Sequence, residues 1–209
     1  MDELNALLSA ALAENAILLT NDAKEKLIRY LHLLKKWNDA FNLTTILAPR
    51  EMVYLHLIDS LAVLPYLKGR HMLDIGTGAG LPGIPLAIAA PQHEWVLLDK
   101  NSKKVRFLTQ VIAELGLKNV QAVHTRCENF HPTAGFDTIL SRAFGTIRLL
   151  LESTGHLLNS HGLFIAMKGK YPQTELLDLP EGFAQPECIR LAIKGINIER
   201  HLICLRRMS

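Results

Sequence analysis

The residues best suited to chemistry form a glycine-rich turn, Asp74-Ile75-Gly76-Thr77-Gly78-Ala79-Gly80, which follows a short apolar run typical of a buried strand. Glycines allow a tight turn, and their missing side chains let backbone N–H groups approach a ligand closely. Ligands of open α/β sheets bind beyond the carboxyl ends of the strands. The sequence therefore predicts a cofactor site here, with Asp74, Gly76, Gly78 and Gly80 as binding residues.

The same glycines also fit a dinucleotide-binding pattern, because Gly78-Ala79-Gly80-Leu81-Pro82-Gly83 matches G-x-G-x-x-G. Two features favour S-adenosyl-L-methionine over a dinucleotide. Asp74 precedes the first glycine closely, where its carboxylate would repel a pyrophosphate but suit a cationic cofactor that carries an amino acid. The chain is also too short to add a separate catalytic domain to a dinucleotide fold.

Two further segments extend the predicted cofactor site. The second apolar run ends at Asp99, whose carboxylate can accept hydrogen bonds from both hydroxyls of a ribose. The alternative for Asp99 is a helix cap, because Asn101 and Ser102 begin a helical pattern. Cys127 and Glu128 follow the third run, where we expect them beside the adenine ring, although an ordinary surface loop explains their position almost as well.

Short apolar runs alternate with helical patterns from residue 69 onwards, which implies a parallel sheet covered by helices. The last two runs are joined by a short loop, so they must be antiparallel. We therefore expect an α/β fold of the class I S-adenosylmethionine-dependent methyltransferase (Rossmann-like) type, mostly parallel with an antiparallel last strand. The predicted strands are His71–Ile75, Glu94–Leu98, Val120–His124, Phe136–Leu140, Leu163–Met167, Cys188–Lys194 and His201–Leu205. The predicted helices between them are Pro82–Ala90, Ser102–Leu115 and Thr146–Leu158.

The first 66 residues carry only helical spacing, with an N-cap signal at Thr20-Asn21-Asp22. A polar break from Asn38 to Pro49 separates this pattern from a second periodic stretch that ends near Pro65. We expect an N-terminal helical extension over residues 1–66 and a Rossmann-like methyltransferase domain over residues 67–209.

Composition narrows the class of protein. Of the 209 residues, 49% are hydrophobic, which is enough to bury a core without staples. The cysteines Cys127, Cys188 and Cys204 are far apart and show no Cys-x-x-Cys pairing, which argues against disulfides and a metal site. The acidic start and the lack of a long apolar run predict a cytoplasmic protein without a membrane segment. We also expect a monomer.

The motifs resemble those of the bacterial RsmG (GidB, glucose-inhibited division protein B) methyltransferases along nearly the whole chain. The most specific are Gly80-Leu81-Pro82-Gly83-Ile84-Pro85 and His56-Leu57-Ile58-Asp59-Ser60-Leu61. Others are Lys36-Trp37-Asn38, Phe41-Asn42-Leu43-Thr44, Ser141-Arg142-Ala143-Phe144, Met167-Lys168-Gly169 and Glu199-Arg200-His201-Leu202.

This resemblance implies methylation of 16S ribosomal RNA at guanine N7, in the 530 loop at nucleotide 527. It also implies cofactor contacts at Gly76, Leu81, Cys127, Glu128 and Arg142. Cys127 replaces a more usual aliphatic residue, a change that would leave a backbone contact intact. The partner would be 16S ribosomal RNA or the small ribosomal subunit.

Guanine N7 carries a lone pair in the plane of the base, so its methylation needs alignment and exclusion of water rather than a general base. We assign Arg142, at the end of the fourth strand, to bridge cofactor and substrate; the alternative is a surface ion pair. Lys168, at the end of the fifth strand, would hold an RNA phosphate or guanine O6; a solvated lysine is equally consistent. These two are the predicted catalytic residues.

Three residues of the helical extension are predicted to bind substrate: Asn42, His56 and Asp59. His56 and Asp59 lie one helical turn apart and can seal the active site from that side. A purely structural hydrogen-bonded pair explains them about as well, and Asn42 shares that alternative.

The net charge of +3 permits a nucleic-acid partner without requiring one. A basic surface is plausible from Lys100, Lys103, Lys104, Arg106, Arg126 and Arg142, although a solvated helix face accounts for several of them. Two other functions stay open. One is a methyltransferase for a small molecule or protein; the other is a ribosome-assembly factor that binds RNA without catalysis.

Overall fold

A computed structural model describes residues 3–208 and contains a seven-stranded sheet in the order β3-β2-β1-β4-β5-β7-β6. Strands β1 to β5 run parallel, and β7 is antiparallel to both of its neighbours, β5 and β6. The strands are β1 His71–Ile75, β2 Glu94–Asp99, β3 Val120–His124, β4 Phe136–Arg142, β5 Leu158–Lys168, β6 Glu187–Arg190 and β7 His201–Leu205. The predicted mostly parallel sheet with its antiparallel last strand is confirmed.

Strand order reverses between β1 and β4, which pair directly with Ile75 opposite Ser141. In the chain, β1 is followed by β2 on one side, whereas β4 returns to its other side. Such a reversal opens a crevice at the carboxyl ends of the strands, where open α/β sheets bind ligands. The fold therefore positions the turn after β1 at the place where a site is expected.

The helices surround this sheet and supply the N-terminal region. They are α1 Glu3–Glu14, α2 Asn21–Phe41, α3 Pro49–Glu51, a π-helix Met52–Ile58, α4 Asp59–Leu61, α5 Gly83–Ala89, α6 Ser102–Leu115, α7 Ile147–Thr154 and α8 Gln173–Leu176. The Thr20 hydroxyl caps α2 by accepting from Ala23 N–H, and Asn101 caps α6 by accepting from Lys103 N–H. Among residues 3–208, no helix combines the length and the apolar character that crossing a bilayer requires.

Several predicted boundaries differ from the structure, including the end of α7 at Thr154 instead of residue 158, and three of the differences have identifiable reasons. Helix α2 continues to Phe41, because Asn38 is buried in its last turn and accepts Thr44 N–H through its side chain. Strand β5 begins at Leu158, since pairing with Phe136 extends it through a polar stretch that has no strand signal. Strand β6 stops at Arg190 instead of continuing to residue 194, and its pairing with β7 ends there.

The helical region and the sheet share one hydrophobic core. Leu27, Leu31 and Leu34 of α2 are fully buried in the same apolar cluster as Leu97 of β2 and Phe107 of α6. Burial of this kind contributes about 1.5–3 kcal/mol per large side chain. The N-terminal helices are therefore fixed against the sheet, close to the turn that follows β1.

Candidate functional site

A pocket of about 330 Å³ lies at the carboxyl ends of β1, β2 and β3. Its walls combine polar and apolar side chains, as small-molecule sites usually do. The lining residues are Gly76, Leu98, Asp99, Lys100, Lys104, Thr125, Arg126, Cys127, Glu128, Ala143, Phe144 and Leu149. The structure thus brings together four residues that the sequence predicts to bind a cofactor: Gly76, Asp99, Cys127 and Glu128.

The turn after β1 depends on glycines with positive φ angles. Gly76, Gly78 and Gly80 have φ of 64°, 62° and 92°, a region that side chains rarely enter. A Cβ atom on Gly80 would lie 2.5 Å from Ile84 Cγ1, so Gly80 packs against the core and does not line the pocket. A Cβ on Gly76 would instead face the ring of Phe144 on the pocket wall, 3.0 Å away.

The buried carboxylate of Asp74 stabilises this turn through two hydrogen bonds. Its Oδ2 accepts hydrogen bonds from the Thr77 hydroxyl at 2.6 Å and from Gly83 N–H at 2.8 Å, and its side chain has no exposed surface. Burial raises the pKa of Asp74 to about 7, although both hydrogen bonds act in the opposite direction. Direct contact between this carboxylate and a cofactor, as the sequence predicts, would require the turn to open.

Asp99 is placed differently, because its carboxylate forms part of the pocket wall. Oδ2 accepts Gly78 N–H at 2.9 Å, and Oδ1 accepts Asn101 N–H at 2.8 Å. Lys104 Nζ lies 3.8 Å from Oδ2. Asn101, not Asp99, is the N-cap of α6, so the alternative that Asp99 is itself the cap is wrong. Each carboxylate oxygen has two lone pairs, which leaves one acceptor on each for a ligand hydroxyl.

The loop after β3 closes the far side of the pocket with a short 3-10 helix, Cys127–Asn129. Cys127 is buried, and burial raises the pKa of its thiol. Glu128 is exposed, and its own backbone N–H lowers the pKa of its carboxylate, with a further contribution from Cys127. Of the predicted basic residues, Lys100, Lys104 and Arg126 border this pocket.

Tyr30 of α2 is a site residue that sequence reasoning missed. Its buried hydroxyl donates a hydrogen bond of 2.8 Å to the carbonyl of Ala79, in the middle of the glycine-rich turn. Burial raises the pKa of the Tyr30 hydroxyl well above its usual range. Leu81, predicted from the resemblance, is buried just after this carbonyl and donates its N–H to Thr77 O. The helical spacing of α2 gave no signal for Tyr30, because the position reads as an ordinary core residue.

Arg142 ends β4 and turns toward the helical extension. Its Nη1 donates to Leu55 O at 3.0 Å and lies 3.3 Å from Asp59 Oδ2. Asp59 is buried, and its other oxygen accepts from Arg200 Nε at 2.7 Å. The alternative of a surface ion pair is thus wrong for Arg142, since its partner has almost no exposed surface. Arg200, which directly precedes β7, is a second residue that sequence reasoning did not single out as a site residue.

His56 and Asn42 occupy separate places beside this ion pair. His56 is buried in the π-helix, and its Nε2 lies 3.2 Å from the Thr44 hydroxyl, not beside Asp59. Burial, helped by the charge of Arg142, lowers the pKa of His56 to about 4. The alternative that His56 and Asp59 form a hydrogen-bonded pair is therefore wrong. Asn42 is exposed and ends α2 in the left-handed conformation, with a φ of 48°.

Lys168 ends β5 in an ion pair rather than in solvent. Its Nζ donates to Gly145 O at 2.7 Å and to both Glu175 oxygens at 3.0 and 2.8 Å. Glu175 also accepts Ile147 N–H at 2.7 Å, at the start of α7. The lysine therefore fixes the loop after β4, whose Ala143 and Phe144 line the pocket.

Comparison with known proteins agrees with this geometry. The family described as rRNA small subunit methyltransferase G (GidB) matches residues 23–203. A ribosomal RNA small subunit methyltransferase G from Legionella pneumophila (strain Philadelphia 1) is 46% identical over 207 residues, covering 99% of this chain and 97% of its own length. The protein of that name from Pasteurella multocida is 43% identical and covers 98% and 97%.

Among solved structures, a SAM dependent methyltransferase from Aquifex aeolicus superposes with a TM-score of 0.54 over 74% of this chain and 92% of its own. Its identity of 18% shows a shared fold only. The family match, in contrast, spans most of the sequence and includes both the glycine-rich turn and the ion pair of Asp59. This chain therefore belongs to the GidB family, described as rRNA small subunit methyltransferase G.

Proposed function

We propose that this chain transfers the methyl group of S-adenosyl-L-methionine to N7 of a guanine in 16S ribosomal RNA, at nucleotide 527 in the 530 loop. One observation carries the proposal: a member of an rRNA methyltransferase family holds a nucleoside-sized pocket at the carboxyl ends of β1 and β2. The atom N7 and the nucleotide rest on the resemblance of the motifs around His56 and Gly83.

The described residues fit this cofactor. Asp99 offers one free acceptor on each carboxylate oxygen, which matches the two hydroxyls of a ribose. Leu98, Phe144 and Leu149 provide apolar surface for a heteroaromatic ring. Gly76 keeps its part of the pocket wall free of a side chain, since a Cβ atom there would lie 3.0 Å from Phe144.

The proposed reaction requires the protein mainly to position the guanine against the methyl donor. The bound cofactor would supply a methyl group on a sulfonium, and guanine N7 would accept it through its lone pair without losing a proton, while the bond between sulfur and the methyl carbon breaks and leaves a thioether. Arg142 is available to orient the base, because its Nε and Nη2 have no partner among residues 3–208. Lys168 has all three ammonium donors engaged, so it contacts RNA only by exchanging Glu175 for a phosphate or guanine O6.

The decisive test is methyl transfer from a labelled cofactor to three substrate classes: 16S RNA or small subunits from cells that lack this gene, a metabolite pool, and total protein. We expect label in the RNA alone, with N7-methylguanosine at nucleotide 527. Label in a metabolite or in protein would favour the alternative methyltransferase. Cofactor binding without transfer would favour a ribosome-assembly role, and an unchanged N7-methylguanosine map in those cells would end the ribosomal assignment.

A variant tests the cofactor pocket itself. Asp99→Asn removes a charge and replaces one of the two oxygens, each of which accepts one N–H group, with an amide donor, so we expect cofactor affinity to fall roughly tenfold or more. Asp22→Asn is the matched control, because Asp22 is an exposed carboxylate that pairs with Lys26 and borders a cleft with Glu94, at the amino-terminal edge of the strands. Calorimetry on both variants measures the affinity. A folded Asp99→Asn protein with unchanged affinity would contradict the assignment.

A further inference from the structure

The carboxyl edge of the sheet continues past the pocket, along the ends of β4 and β5 and the start of β7. The pocket occupies the ends of β1, β2 and β3, so this other half of the edge is where an acceptor base can approach the switch point. Three cations and one aromatic ring lie there: Arg142, Lys170, Tyr171 and Arg200. We call them the β4–β7 edge.

Two of these cations share a single carboxylate. Asp59 accepts from Arg200 Nε at 2.7 Å and from Arg142 Nη1 at 3.3 Å, which leaves one excess positive charge. Asp59 is 1% exposed, whereas the arginine side chains are 26% and 24% exposed. Each guanidinium keeps N–H donors beyond the two bonds that hold it. Guanidinium donors held in a fixed fork suit the oxygens of a phosphate.

The loop after β5 adjoins this pair. Strand register places Lys168 opposite His201, and a Cβ atom on Gly169 would lie 3.7 Å from Arg200 Nη1. Lys170 follows; it is exposed and has no hydrogen bond or ion pair to any residue from 3 to 208. Glu199, the acidic residue next to Arg200 in the sequence, is exposed and lies 3.7 Å from Nε2 of His201.

Tyr171 supplies an aromatic surface in the same loop. It is 51% exposed, which is unusual for so large a side chain, and the buried His201 supports its ring edge-on at 5.7 Å between centroids. A supported ring with a free face is the feature on which single-stranded nucleic acids stack their bases. Adjacent cations for the phosphates complete such a surface.

We propose that the β4–β7 edge receives the RNA strand beside the acceptor guanine, with Arg142, Arg200 and Lys170 on phosphates and Tyr171 stacked on a base. This inference rests on the proposed function, since it names the surface through which the RNA reaches the same site. This surface is separate from Lys100, Lys104 and Arg126, which border the pocket instead.

The first test compares Tyr171→Ala, Tyr171→Phe and Leu177→Ala, the last an exposed apolar side chain without a site role. The substrate is the small subunit from cells that lack this gene. We expect a KM for the subunit roughly tenfold higher for Tyr171→Ala, because one stacked base is lost, and near-normal values for the other two. Cofactor affinity should stay unchanged. An equal loss of cofactor affinity in Tyr171→Ala would overturn the stacking role.

The second test is the salt dependence of subunit binding, measured between 50 and 200 mM salt. Lys170→Ala should lower the slope of log affinity against log salt by about 0.7–0.9, the contribution of one phosphate contact. Lys118→Ala is the control, since Lys118 is exposed beside a cleft at the opposite, amino-terminal edge of the strands. If the wild type methylates RNA while the Tyr171 and Lys170 variants match their controls, the surface is wrong and the proposed function stands. If no RNA is methylated, both fail.

Discussion

Replacing Gly76 with alanine separates the two tasks of the glycine-rich turn, its backbone conformation and its open pocket wall. Gly76 has a φ of 64°, where an alanine costs about 1–2 kcal/mol. Gly116, the C-cap of α6, has a φ of 62° and open space around its Cβ position. Gly116→Ala therefore measures the backbone cost alone. Gly116→Ala should melt roughly 2–8 °C below the wild type, and Gly76→Ala should melt further below it because its methyl group also meets Phe144.

Only Gly76→Ala should also change the pocket. Its new methyl group would lie 3.0 Å from Phe144 Cδ2, so the ring on the pocket wall must move by a few tenths of an ångström. Overpacking of this kind costs about 1–3 kcal/mol, and we expect cofactor affinity to fall at least tenfold. Calorimetry with S-adenosyl-L-methionine and thermal unfolding of both variants give the comparison. Equal cofactor affinity in the two folded variants would refute the assignment of Gly76 to the pocket wall.

Three further substitutions test contacts around the site. Tyr30→Phe leaves the carbonyl of Ala79 without its buried donor, so cofactor affinity should fall severalfold by calorimetry, whereas Tyr66→Phe should have no effect. Burial raises the pKa of Asp74 from 3.8 to about 7. The stability that its protonated form contributes is therefore full below pH 3.8 and is lost as the pH rises to 7. Asp74→Asn should abolish this loss in urea titrations across the same pH range. Burial lowers the pKa of His56 from 6.5 to about 4, so the stability that its neutral ring contributes is full above pH 6.5 and is lost as the pH falls to 4. His56→Gln should therefore flatten the acid side of the same titrations. An unchanged profile would contradict the burial of His56 as a neutral ring.

Sequence patterns predicted the sheet well because its signals are local. Strands β1, β3 and β7 have the predicted bounds, since apolar runs and turn residues within a few positions define them. The start of β5 at Leu158 was missed because it depends on pairing with Phe136, which no local pattern encodes. The π-helix of residues 52–58 was read as an ordinary helix, since one extra residue in a turn leaves the spacing of apolar residues nearly intact.

The same difference between local and long-range signals decides which site residues could be predicted. Asp99 and Gly76 could be placed from sequence because Asp99 ends β2 and Gly76 directly follows β1, and both strands end at the pocket. Partners from distant segments could not be placed. Tyr30 and Ala79 are 49 residues apart, and Arg200 and Asp59 are 141 residues apart, so only the packed fold brings each pair together. Lys168 is a different case, because Glu175 is only seven residues away, but the chain must turn back after β5 to bring the two side chains together.

The long-range contacts of Tyr30 and Asp59 both run from the N-terminal helices to the sheet, which bears on where the chain can be divided into domains. Both Tyr30 and Asp59 belong to the N-terminal helices, and both reach the carboxyl edge of the sheet, one at the turn after β1 and the other at the end of β4. These are the two strands between which the sheet order reverses. A boundary at residue 66 therefore separates helix from sheet in the sequence, but not the site from its supports. Since the helices also share the core of the sheet, ordering the pocket and folding the extension should be one cooperative event.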